Sequence, residues 1–296
     1  MIVLKKSCII ATLFCLCESY IGYGYREGAV IIIFSLIQAG FFLKRGGVML
    51  DNFLDTSETI GKGLGFPLFG VIHLSWLLVI SVACVLTVYF YRRMQTSRQK
   101  KFLIVIALLL LVIEIVKIFL LIITEKFEWD YLPLHLCSIN IFVILSHSIK
   151  PTKFTAEFLY AVCLPGAAAA LLFPGWPTLP LLNFLHIHSF FAHTLLLLYP
   201  LLLLGGGFKP DYRQLPKCLL LLITLSPILF ALNKILVTNF MFLNHPGTDN
   251  PLALFEEWLG NPGYIVGFFV LLAIVWAFLY IPAVIKETTK QRESKG

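Results

Sequence analysis

Residues 102–124, FLIVIALLLLVIEIVKIFLLIIT, make one apolar run of the ~20 residues that a bilayer's hydrocarbon core demands, with two charges inside it. No water reaches exposed peptide groups there, so a run of this kind has to be an α-helix. Glu114 and Lys117 stand three residues apart and share a face of that helix. An ionisable side chain near the bilayer centre costs at least ~2.5 kcal/mol on insertion scales, so it is expected to face a bundle interior and mark a pathway or site. The plain alternative is a mutually satisfied pair that only holds helices together.

Similar runs recur through the 296 residues, of which 59% are hydrophobic and 13% charged. A soluble domain carries about 25% charged residues. The fold class expected is all-α: a polytopic integral membrane protein, a seven-transmembrane-helix bundle. Barrel strands would alternate polar and apolar residues, and these runs do not. The net charge of +7 does not indicate nucleic acid, because Lys and Arg cluster in short loops, as topology signals do. The cysteines have neither CxxC nor zinc spacing and fall mostly in apolar runs, where Cys acts as a small hydrophobe.

Spans are predicted at 67–91, 102–124, 131–148, 155–174, 184–206, 216–238 and 264–284. Segment 92–101, RRMQTSRQKK, is strongly basic; 149–154 holds Lys150 and Lys153, and 207–217 holds Lys209, Arg213 and Lys217. The tail after Ile285 is basic too, whereas 125–130 has Lys126 alone and neither 175–183 nor 239–263 has any Lys or Arg. The positive-inside rule then puts the C-terminus in the cytoplasm and the start of the first span outside. In the outer connection 239–263, the stretch LALFEEWL is amphipathic and suits a short helix lying flat as a lid. The fourth span carries CLPGAAAALL, in which Pro165 kinks the helix and small residues permit close packing.

Residues 1–48 do not fit this topology. A crossing at 29–45 would face Lys44 and Arg45 outward, against the charge rule. Lys5 and Lys6 precede an apolar stretch as in a leader, but no clean small-x-small site follows. The segment is expected to be a non-family extension from a misassigned start, with translation beginning at Met49 and residues 49–296 forming one membrane domain.

Five spans put polar groups in the outer half of the membrane: His73; Glu114 and Lys117; His135, Cys137 and Asn140; His186, His188 and His193; Asn233 and Lys234. The inner halves look apolar apart from small hydroxyls and His147, so a polar cavity open to the outer face is expected. At 1.5 Å per residue, Glu114 matches His193 in depth and Lys117 matches Cys137. His186 and His193, seven apart, share a helical face, while His188 points elsewhere and reads as interfacial. Cys137 shares its face with Asn140, and His135 shares its own with Ser138.

Three chemistries fit. A Cys beside a His and a carboxylate is the layout of an activated thiol, with Cys137 the nucleophile, His193 the base and Glu114 the orienting group. Lys117 or Asn140 would stabilise the oxyanion, and His135, His186 and His73 would line the binding site. Glu114, Lys117 and the histidines could instead relay protons or bind a small solute, although no inverted repeat of the transporter kind is visible. A divalent metal fits least, since no HxxxH or HExxH spacing occurs, and neither a metal nor a cofactor is expected. The partners expected are membrane lipid and a lipid or small-solute substrate, with no nucleic acid.

The stretch YLPLHLCSINIFV (131–143), followed by NFMFLNHP and NPLALFEEWLGNPGYIVGFFVLLAIVWAFLYIP, resembles the YwaF-like family of bacterial seven-helix membrane proteins. FGVIHL (69–74), the Glu114 region and His193 followed by a proline carry the resemblance further, over roughly residues 66–285. It implies the seven-helix topology in a bacterial plasma membrane. A more distant similarity is to a eukaryotic membrane family that moves acyl chains between phospholipids with a Cys and a His.

Overall fold

The structure, a computed structural model, describes residues 52–247 and 250–293. The expected N-terminal extension, residues 1–48, lies outside the described residues. All regular elements described are helical: α1 (Val71–Tyr91), α2 (Thr96–Ile123), α3 (Leu136–Ile149), α4 (Lys153–Phe158), α5 (Leu164–Leu172), α6 (Phe184–Gly205), α7 (Leu215–Leu236), α8 (Pro251–Leu259) and α9 (Val266–Glu293). Seven stretches are long and apolar enough to cross a membrane, with α4 and α5 joined through a π-helical turn, Leu159–Cys163, into one of them. The all-α, seven-span expectation therefore holds.

The helix ends depart from the predicted spans for local reasons. α2 begins at Thr96 rather than 102, because Arg98, Lys100 and Lys101 are good helix formers and continue the helix past the apolar run. α3 begins only at Leu136; Trp129–Tyr131 forms a separate 3₁₀ turn before Pro133, which lacks the N–H that a continuous helix would use. The expected amphipathic stretch is the helix α8. Its Leu254 and Trp258 are exposed, and its Phe255 packs so closely on Gly267 of α9 that a Cβ there would lie 2.6 Å from the ring.

α6 is the central post. It packs against α1, α2, α3 and α5 around Ile80, Leu110, Ile144, Leu159, Phe190, Leu196 and Leu202. α7 and α9 are more peripheral and expose Ile223, Ile228, Phe269, Ile274 and Phe278, as lipid-facing helices do.

Two prolines inside the spans tie helices together. Pro165 has no N–H for the Ala161 carbonyl four residues earlier, and Trp276 Nε1 of α9 donates to that oxygen at 2.9 Å. Pro200 likewise has no N–H for Leu196, and the Cys163 thiol donates to that carbonyl at 3.4 Å.

The chain before α1 folds back over the end of the bundle opposite the basic loops, which we call the neutral end. Phe66 N–H donates to Pro177 O at 2.8 Å and Phe184 N–H to Phe53 O at 2.7 Å. Asn183 caps α6 by accepting from Leu185 N–H, while its amide donates to the carbonyls of Asn52 and Asp55, each at 2.8 Å. Lys126 pairs with Asp55 at 2.5 Å.

Candidate functional site

Glu114 is the hub of a buried polar cluster between α2, α3 and α6. Its Oε1 accepts from Lys117 Nζ at 2.7 Å and from Ser138 Oγ at 3.1 Å. Its Oε2 faces His188 Nε2 at 3.6 Å. Cys137 and His193 each lie close enough to Glu114 to interact with it electrostatically. The ammonium–carboxylate pair is buried and hydrogen-bonded, which is what an ion pair in such surroundings requires.

Cys137 is the second residue of α3, with His135 at the N-cap, and its side chain is half-buried. The other thiol beside it, Cys163, is committed to Leu196. Asn140, one turn further along α3, is buried with no partner for its Oδ1.

The histidines divide by what their ring nitrogens do. His73 accepts from Phe69 N–H through Nδ1 at 3.0 Å and donates through Nε2 to Leu171 O at 2.8 Å. His186 donates through Nδ1 to Leu179 O at 3.1 Å and accepts from Trp76 Nε1–H at 3.0 Å. Both are neutral with both nitrogens committed, and they pack with Phe66 and Phe190 rather than beside Glu114. His193 donates through Nδ1 to Ser189 O at 2.7 Å, which leaves Nε2 as the nitrogen with a free lone pair. Its ring stacks on Trp176 with centroids 5.1 Å apart. His188 Nε2 is buried without a hydrogen-bond partner.

The structure thus places Lys117, Ser138 and His188 on Glu114, with Cys137 and His193 within electrostatic range of that carboxylate and Asn140 on the same helix as Cys137, and it sets His73 and His186 apart. His135 stands at the rim, with Nε2 3.2 Å from Asp130 O and its ring edge on Phe240. Two expectations are corrected. His188 does not point to the interface: α6 turns it onto Glu114, although rise alone sets it about 7.5 Å from the depth of His193. The basic half of the bundle is not purely apolar either. Glu157 of α4 is 1% exposed and accepts from Tyr280 O–H and from Asp211 N–H, the latter at 2.9 Å. Its place beside the predicted start of the fourth span hid it.

Among the described residues no group of three or more His, Cys, Asp or Glu could hold a metal ion. The fold and cluster define a multi-pass integral membrane protein with a charged site buried among its helices. The chain belongs to the TMEM164 family, whose family model matches residues 68–280. No curated protein and no solved structure matches it.

Proposed function

We propose that this protein is a membrane-embedded enzyme that transfers or releases a lipid acyl chain through Cys137. Its site then lies in the outer half of a bacterial plasma membrane, with the first span starting outside and the C-terminus in the cytoplasm. The observation that carries the reading is the state of His193: Nδ1–H is tied to the Ser189 carbonyl, which leaves Nε2 to accept a proton. A fixed tautomer with one basic nitrogen is what a thiol nucleophile needs from its partner. The YwaF-like resemblance and the distant likeness to an acyl-moving family agree with it.

The chemistry runs in two balanced steps. His193 Nε2 takes the Cys137 proton as sulfur attacks the acyl carbonyl of an ester. The C–O bond breaks, the thioester forms, and the departing alkoxide takes the proton from His193. A second hydroxyl, from a lysolipid or from water, then gives its proton to His193 and attacks the thioester, and the proton returns to sulfur. Lys117 uses one of its three donors on Glu114, and the remaining two suit the oxyanion. His73 and His186 hold the neutral end together rather than touch substrate. Incubation of proteoliposomes with a radiolabelled acyl phospholipid tests the reading. Cys137→Ala should lose acyl transfer or hydrolysis entirely, and full retained activity would remove the proposal.

A second reading, binding or movement of a small solute or of protons, rests on the buried, unpartnered His188 Nε2 facing Glu114. There Cys137→Ala is mild and Glu114→Gln severe in a flux assay.

A further inference from the structure

The two basic loops that flank α4 and α7 fold together at the end of the bundle opposite Glu114. Between them lies a cleft of about 390 Å³, walled by Pro151 and Lys153 on one side and Phe208 and Lys209 on the other, with Glu157 and Asp211 along its base. The charges in it are not matched to one another. Glu157 accepts from Tyr280 O–H through one oxygen and from Asp211 N–H through the other. Asp211 Oδ1 accepts from Arg213 N–H at 3.1 Å and faces the Arg213 guanidinium at 4.0 Å. Lys153 and Lys209 are exposed and, among the described residues, neither forms an ion pair.

We infer that this cleft binds a phosphate-bearing anion, and that its ordinary occupant is the headgroup of an anionic phospholipid. Lys153 and Lys209 hold the phosphate from opposite walls, and Phe208 and Pro151 lie against the start of the acyl chains. Placement favours a lipid. The cleft sits where the third span ends, its wall beginning at Pro151, two residues beyond Ile149, an apolar side chain that is 76% exposed. Basic pockets between transmembrane helices are the recurrent form of headgroup recognition at this level of the membrane. The assignment is independent of the chemistry at Cys137.

The test is native mass spectrometry of the purified full chain in detergent, titrated with dioleoyl phosphatidylglycerol and, separately, dioleoyl phosphatidylcholine. Wild type is compared with Lys153→Ala/Lys209→Ala and with Arg98→Ala/Lys217→Ala, which removes equal charge from the same end. Wild type should prefer phosphatidylglycerol. The cleft variant should bind it about 30-fold more weakly, roughly fivefold per lysine near an anionic surface, while the control variant stays close to wild type. Should the alanine pair unfold, Lys153→Gln/Lys209→Gln removes the charge and keeps side-chain length. Competition by millimolar inorganic phosphate would mean that the cleft reads phosphate itself; failure to compete would mean that it needs the lipid, and both keep the site. Unchanged binding in the cleft variant, or an equal loss in the control variant, would overturn it, the latter by making the attraction a diffuse property of the basic end.

Discussion

Cys163 donates its thiol to the Leu196 carbonyl, which residue 200, being proline, cannot reach with an N–H. Cys163→Ser keeps a donor there, whereas Cys163→Ala leaves a buried acceptor unmatched at a cost of about 1 kcal/mol. Thermal unfolding in detergent should place the serine variant near wild type and the alanine variant a few degrees lower, with acyl chemistry intact in both; loss of activity in the serine variant would move the nucleophile from Cys137 to Cys163. The Glu114–Lys117 pair makes a sharper case. Removing one partner of a buried pair strands the other charge and costs about 3–5 kcal/mol. Glu114→Gln and Lys117→Met should each be severely destabilising, and the double variant should recover much of the loss in a thermal double-mutant cycle. Simple addition of the two losses would mean that the pair is not the closed unit described above. The pair was legible in the sequence because charges stand out in an apolar run. Which histidine serves which partner was not. That depends on where the carbonyls of Leu171 in α5, of Leu179 in the following connection and of Ser189, one turn back along α6, are placed by the packing, which residue type does not reveal.

At the level of elements, α9 meets the π turn between α4 and α5 through the Trp276 contact to Ala161. Trp276→Phe removes that donor and should lower the unfolding midpoint. In a Pro165→Ala background residue 165 regains its N–H, so the same substitution should cost clearly less. Equal costs in the two backgrounds would separate the tryptophan contact from the proline. Pro165 itself was visible in the sequence, but the π turn before it was not. An extra residue in a turn shifts the helical phase, but residues 158–172 are apolar nearly all round and carry no phase to shift, so the pattern places the span and not its bulge. The late start of α3 was hidden similarly, since YLPLHL is apolar enough to continue a span and only Pro133 hints at the break.

Across the whole molecule, the charges are sorted by end. Basic loops gather around the cleft at Lys153 and Lys209, while the Glu114 cluster lies in the half capped by residues 52–66, the 3₁₀ turn Phe240–Phe242 and α8. The seven-span plan and the polar concentration near Glu114 follow from run lengths and from where ionisable residues interrupt them. The inward turn of His188, the commitment of Cys163 and the buried Glu157 follow from packing between helices far apart in sequence.

The central claim is that Cys137 is an activated thiol served by His193. The most direct measurement is labelling of the purified protein with a lipid-like, thiol-reactive probe, comparing wild type with Cys137→Ser and His193→Ala. The account predicts labelling at Cys137 that vanishes in the serine variant and falls at least tenfold when His193 is removed. Labelling that is indifferent to His193, or that survives without Cys137, would contradict it.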